Sequence, residues 1–368
     1  MWPYWLFFAI PALTSLSSRP LRNIRRDGSR RVSVDLLWLL VMLSLALMIG
    51  LRDRVGGDWF NYFSYIFQAQ FITVQEAMTR SDPGYWAINV LSLELGLGIL
   101  GVNLFCGFVF ALGLVIYCRS MPRPWLALAV AMPYMVTVVA MGYTRQGVAL
   151  GLALIGLVAL GRRRFIWFVF WVFLAAAFHR SAVLLMGIAL LMLDFRRLYN
   201  LPLLMLAALL LYQAFLEDAT ERLVTSYIEQ EMESAGAMIR LAMNLVPAAL
   251  FIRYRKRMLI STGERKLYGT MALLGVASFL ALVIGLVPST ALDRMALYLI
   301  PLQVFVFSHL PDAIGRPGAR NQMIVLYILL FYATVLFVWL NFAVHSRFWL
   351  PYRMFPPLDI FEAATMGR

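Results

Sequence analysis

The feature that most restricts this chain is a succession of apolar stretches, each closed off by a short cluster of charge. They run near 2–16, 34–51, 101–118, 124–141, 146–161, 165–178, 181–194, 201–216, 238–252, 267–287, 293–310 and 322–341. A hydrocarbon core about 30 Å thick takes roughly 20 residues of helix to cross, and shorter segments fit inside a bundle. In lipid every backbone polar group must be paired within the protein, which makes each stretch a helix. The expected fold is therefore an all-α polytopic membrane protein with about 12 transmembrane helices. Hydrophobic residues make up 62% of the 368 and charged ones only 14%, too little polar surface to cover a soluble domain. Pairs such as 165–178 and 181–194 are short enough to be broken or tilted helices. The opening "MWPYWLFFAIPALTSL" reads as a short first span, because its positive charges follow the apolar run, whereas a secretory signal carries them before it.

The basic runs give the orientation. "SSRPLRNIRRDGSRR", "RSMPR", "GRRR", "DFRRL", "RYRKRMLISTGERK" and "GRPGAR" occupy alternate loops and hold most of the Lys and Arg. Such loops stay on the cytoplasmic side, which puts both ends of the chain outside. The formal charge of +13 is then an orientation signal, and no nucleic-acid partner is expected. Two longer segments are expected on the outer face: residues 52–100, with a short interfacial or re-entrant helix near 85–97, and the acidic stretch 216–237. No Ser-, Gly- or Pro-rich boundary separates soluble units, so 1–368 reads as a single integral membrane domain. Cys106 and Cys118 share one apolar segment and lie too far apart along it to meet, and the three histidines do not cluster. Neither a disulfide nor a metal site is expected from them. "GVALG", 147 to 151, has the small-residue spacing that lets helices approach closely.

Once the sides are assigned, five arginines break the sorting rule. Arg52, Arg145, Arg180, Arg294 and Arg347 lie at outer ends of spans, where positive charge should be depleted. Each sits among polar or aromatic neighbours, in "GLRDRVGGDWFNY", "GYTRQG", "FHRS", "LDRMALY" and "VHSRFW". A guanidinium stays charged and makes paired hydrogen bonds to oxyanions, so several converging would cradle a pyrophosphate. The alternative is that each reaches separately into headgroups. Arg240 stands at the mouth of its span in either role. In the 52–100 segment, Gly56 and Gly57 allow a tight backbone beside Asp58, and "SDPGYW" carries a Pro-Gly turn signal. Asp58 and Asp82 are placed either to pair with arginines or to hydrogen-bond sugar hydroxyls. Trp59, Phe60, Tyr62, Tyr65, Tyr85 and Trp86 are as suited to an interfacial belt as to stacking on sugars.

Taken in order, "GLRDRVGGDWFNYF", "DPGYWAINVL", "TRQGVALGLALI", "FHRSAVLL" and "LDRMALYL" resemble the EpsG family of Wzy-type polysaccharide polymerases, from about Gly50 to the last span. The resemblance implies an architecture like that of C-type glycosyltransferases. It also implies a reaction at the outer, periplasmic face of the bacterial inner membrane, joining oligosaccharide repeat units carried on undecaprenyl pyrophosphate and releasing that lipid. The residues it carries over are Arg52 and Asp58, Asp82 and Tyr85, Arg145 and Gln146, His179, and Arg294 with Tyr298. A chain-length regulator and other polysaccharide-assembly proteins are expected partners beside the lipid bilayer.

The chemistry of the residues fits this independently. A sugar hydroxyl must lose a proton as it attacks an anomeric carbon, and His179 is the candidate general base. A leaving pyrophosphate needs charge stabilisation rather than a strong acid, a task for arginine. On the resemblance and this chemistry together, His179 and Arg145 are the expected catalytic residues, with Arg52, Asp58, Tyr62, Asp82, Tyr85, Gln146, Arg180, Arg294, Tyr298 and Arg347 binding substrate. No cofactor is expected, although Asp58 or Glu94 leaves room for a divalent metal. His345 is the reserve base, and a bland role for His179, bonded to a backbone carbonyl, competes with the catalytic one. Three other functions use related features. A flippase would line a path through both leaflets, a glycan ligase would share the same chemistry, and an acyltransferase would carry an acidic residue directly after its histidine.

Overall fold

The computed structural model describes residues 1–20, 35–192, 201–215, 237–286 and 289–355. The acidic stretch at 216–236, the basic run 21–34, the "DFRRL" loop and residues 356–368 lie outside them. Among the described residues the fold is helical, with one isolated antiparallel bridge between Arg52 and Met354. Each apolar stretch read from the sequence holds helix over its described residues. The series starts with α1 (Trp2–Ser17), α2 (Leu36–Gly50), α3 (Trp59–Ala69), α4 (Val74–Ala77), α5 (Pro83–Glu94) and α6 (Gly98–Ser120). It continues with α7 (Pro124–Ala131), α8 (Thr144–Gly161), α9 (Phe165–Phe178), α10 (Leu185–Leu191) and α11 (Leu201–Phe215). The last are α12 (Ala237–Tyr254), α13 (Thr262–Val283), α14 (Ser289–Leu299), α15 (Pro301–Ile314) and α16 (Gln322–Phe342).

Six of these stretches are long and apolar enough to cross a bilayer: Gly98–Ser120, Thr144–Gly161, Ala237–Tyr254, Thr262–Val283, Leu292–Ile314 and Gln322–Phe342. Leu36–Gly50, Pro124–Ala140, Phe165–Phe178 and Arg180–Leu191 are shorter apolar helices. The chain is an all-α polytopic membrane protein. Several segments are broken, as their lengths foretold. Helix α7 widens into a π-helical stretch, Met132–Ala140, which carries Pro133 in its first turn, and such wide turns gather at functional sites. A 3-10 turn, Arg180–Leu184, separates α9 from α10, while Pro301 interrupts the α14–α15 segment.

Helices α6, α7, α8 and α15 form the centre, with side chains buried around most of their circumference. The "GVALG" spacing does pack closely: a Cβ on Gly151 would lie 2.5 Å from Phe110 Cα, and one on Gly113 would lie 1.9 Å from Gly151 O. Residues 52–100 hold more structure than expected. Instead of one short helix near 85–97 there are three before α6 begins at Gly98. Helix α3 buries Trp59, Tyr62, Ile66 and Ala69 and leaves Phe60, Phe63, Phe67 and Phe71 exposed along or just beyond its other face. It is amphipathic with aromatics on both sides, which suits an element lying at an interface.

The two ends of the bundle differ. At one end Arg123 is locked by Asp312 (2.9 Å) and by the carbonyls of Ala319 and Arg320. At the other, the C-terminus of α2, the N-termini of α5, α6 and α8 and the break after α9 come together, and there the misplaced arginines are found.

Candidate functional site

The site is built around Asp82. It precedes Pro83, the first residue of α5, and takes a left-handed backbone with φ of 57°, a conformation that aspartate tolerates better than most residues. Its side chain does not cap its own helix, so both oxygens face outward to other elements. Oδ2 accepts from Arg145 Nη1 at 2.9 Å and Oδ1 from the Arg180 backbone N–H at 3.1 Å. His179 Nδ1 lies 3.8 Å from Oδ2. Gly84 permits this meeting, since a Cβ there would lie 3.1 Å from Ala177 O and hold α5 away from the end of α9. Burial pushes the Asp82 carboxyl up, but His179, Arg145 and the Arg180 N–H outweigh it and hold the group below its usual range. It is a carboxylate at neutral pH.

His179 sits in the break between α9 and the 3-10 turn, with an extended backbone. Its Nε2 lies 3.1 Å from Gln146 Nε2. With an amide N–H donating there, Nε2 is the bare nitrogen and Nδ1 carries the proton on the Asp82 side. Burial lowers the imidazole below its ordinary value, Asp82 opposes this, and Arg145 and Arg294 add to the lowering. The ring is therefore neutral at pH 7. A neutral imidazole, with a carboxylate 3.8 Å from Nδ1 behind it and Nε2 bare at the front, is equipped to accept a proton.

The expected arginines separate into three groups. Arg52 is 1% exposed; its donors go to Val55 O at 3.2 Å, Ile49 O, Asn103 Oδ1 at 3.3 Å and Thr144 Oγ1 at 2.6 Å. Expected at a substrate, Arg52 spends these donors within the protein, as a strut tying α2, α6 and α8. Arg52→Met is expected to lower stability by about 3 kcal/mol or more by stranding those acceptors, which a thermal unfolding midpoint in detergent would read.

Arg145 is held but still accessible. Its side chain is 28% exposed, and its guanidinium carbon lies 4.8 Å from the centre of Tyr65 and 5.9 Å from that of Tyr85. Arg180 and Arg294 are half-buried, and among the described residues their guanidinium groups make no hydrogen bond or ion pair. Arg347 and His345 are exposed in the 3-10 turn Val344–Phe348, beside Phe348. Among the described residues neither contacts the Asp82 cluster.

The remaining expected residues are close by. Gln146 faces His179, and Tyr298 Oη meets Ser181 Oγ at 3.3 Å. Tyr62 and Tyr85 are buried and pack with Tyr65 into an aromatic wall under Arg145, so they shape the site instead of presenting themselves to a ligand. Asp58, at the head of α3, is half-buried and makes no ion pair among the described residues, with Asn61 Nδ2 3.5 Å away. Burial raises its carboxyl, opposed by Arg145 and Asn61. Among the described residues no group of three His, Cys, Asp or Glu side chains is arranged to hold a metal ion. Glu94 lies at the far end of α5 from Asp82.

Several contributors were not singled out from the sequence: Asn103 and Thr144, which satisfy Arg52, and Asp293, which pairs with Arg240; Tyr65, read only as one of the interfacial aromatics, lies over Arg145. The Asp293 pair gives Arg240 a structural partner.

Fold and site together define a polytopic membrane protein whose cluster combines a neutral histidine, a neighbouring carboxylate and guanidinium groups that make no hydrogen bond or ion pair among the described residues. The model of the EpsG family matches residues 35–354. The chain belongs to the EpsG family, which supports a general polymerase-like role in polysaccharide biosynthesis. Comparisons with curated proteins and with solved structures found no match.

Proposed function

We propose that this protein is a membrane glycosyltransferase that joins undecaprenyl-pyrophosphate-linked oligosaccharide repeat units at the outer face of the bacterial inner membrane. The observation that carries the reading is the neutral, Asp82-oriented His179 beside the unpaired Arg180 and Arg294. In the reaction, an acceptor hydroxyl displaces the Gln146 amide from His179 Nε2 and gives its proton to that nitrogen. The hydroxyl oxygen attacks the anomeric carbon of the donor. The bond from that carbon to the pyrophosphate oxygen breaks, and its electron pair leaves on the lipid pyrophosphate. Arg180 and Arg294 take up the growing negative charge, with Arg145 as a fixed cation behind them. Asp58 binds a sugar hydroxyl.

The one-sidedness of the cluster favours bond formation over transport, because a flippase needs polar groups along a path through both leaflets. Purified protein in liposomes, given lipid-linked repeat units, is expected to lengthen the glycan and release undecaprenyl pyrophosphate. Movement of the lipid across the bilayer with no new glycosidic bond would sink the proposal. Transfer to a foreign acceptor without elongation would favour a ligase. In the same vesicles, Arg180→Ala and Arg294→Ala are each expected to weaken donor capture by about tenfold to a hundredfold, the loss of a charge-assisted hydrogen bond or two. Unchanged capture in both variants would remove the cradle.

A further inference from the structure

The segment 344–355 follows the last long helix and is fastened to distant parts of the chain. Phe348 O accepts from Gly56 N at 2.9 Å, Trp349 O from Tyr4 Oη at 2.7 Å, and Arg353 O from Asp53 N at 3.0 Å. Phe355 N donates to Leu51 O at 2.8 Å, and Tyr352 Oη to Met48 O at 2.8 Å. In its midst the Trp349 indole is 1% exposed and donates from Nε1 to Thr137 O at 2.6 Å, inside the π-helical stretch. Its benzene edge lies directly against Gly142, where a Cβ would fall 2.5 Å from Cζ2 and 2.9 Å from Cη2. Gly142 stands just ahead of Thr144, Arg145 and Gln146, the first turn of α8. The same joint is pressed by Gly56, whose φ is +112° and where a Cβ would fall 2.2 Å from Met141 O.

The joint that aims Arg145 and Gln146 is thus gripped between the loop bearing Arg52 and Asp58 and one indole ring. We infer that Trp349 is a positioning residue: through Gly142 it sets where the first turn of α8 stands, and so where Arg145 meets Asp82 and Gln146 meets His179. This rests on reading the Asp82–Arg145–His179 cluster as the reactive centre. A tryptophan that merely fills space would affect stability without affecting turnover.

The test is a suppressor pair. Gly142→Ala drives a methyl into the ring and is expected to lower kcat by about tenfold to a hundredfold, with KM for the lipid-linked donor little changed, since sub-ångström misplacement acts on the chemical step. Trp349→Phe shortens the ring and removes the Nε1 donor, a loss of about fivefold. The double variant is expected to recover to the level of Trp349→Phe alone. A Gly142→Ala protein with full kcat, or a folded double variant no better than Gly142→Ala, overturns the inference. If Gly142→Ala fails to fold, Trp349→Phe decides, since unchanged kcat in it also overturns the inference.

A second readout does not depend on the reaction. The rate of His179 carbethoxylation by diethyl pyrocarbonate is followed against pH, with His309 and His345 replaced by Gln in every protein compared. Gly142→Ala is expected to shift that profile and the double variant to restore it. If no protein elongates glycan, the polymerase reading fails, while a shifted and restored profile still upholds the coupling. An unshifted profile removes it.

Discussion

Replacing His179 with alanine is expected to reduce glycosidic bond formation by about 10²- to 10⁴-fold, the range a positioned general base contributes, while donor capture stays near its original level. The expectation follows from the division of labour at the site. The imidazole receives the acceptor proton, whereas the guanidinium groups of Arg180 and Arg294 hold the anion. A His179→Ala protein that elongates at full rate would exclude the residue from the chemistry; one that cannot capture donor would make it a binding residue. The pH profile adds a sign. His179 is held below the ordinary histidine value by burial, reinforced by Arg145 and Arg294 and opposed by Asp82. Because the neutral ring is the working form, activity is full above the lowered pKa and is lost as pH falls through it. The acid limb should therefore have its midpoint below about 6.5. Arg294→Ala removes a lowering influence and should move that limb upward.

The second large effect is expected at Asp82. Asp82→Asn keeps the volume but removes the charge, and three neighbours feel it together: Arg145 loses its ion pair, the Arg180 N–H its charged acceptor, and His179 the carboxylate behind it. Removing one partner from a fully buried pair costs about 3–5 kcal/mol; with Arg145 28% exposed, about 2–3 kcal/mol is expected here. Turnover should fall more steeply, since a histidine base that loses its orienting carboxylate can lose up to about 10⁴-fold. Any residual activity should have its acid limb lower still, because the one group raising the imidazole is gone. Thermal midpoints and pH–rate profiles of the same preparation separate the two effects. Near-normal kcat in Asp82→Asn would contradict the orienting role.

What the sequence disclosed and what it hid follow from the range of the forces involved. A long apolar run in lipid has one low-energy form, so the helices were readable from local composition. Helix α3 escaped because its polar residues dilute the apolar signal, although Trp59, Tyr62, Ile66 and Ala69 already carried helical spacing. The sorting rule found the arginines of the site but could not tell a strut from a ligand. Arg52 is satisfied by Asn103 and Thr144, and Arg240 by Asp293, partners brought in only by the tertiary fold. Arg347 obeyed the same local pattern and nevertheless ended on the exposed side of a turn. His179 and Asp82 were marked individually, but their meeting depends on the close approach at Gly84, which no local pattern announces. Trp349 had no signal at all, because its value lies in a contact with a glycine far back in the chain.

The bridge between Arg52 and Met354 also dictates an order of assembly. The loop bearing Arg52 and Asp58 emerges early in synthesis, yet the segment and indole that close over it emerge only after α16 has been made. Through most of biosynthesis the nascent chain therefore holds its charged groups without their final brace. The pocket is finished only when the whole set of helices is already in place to receive the returning segment.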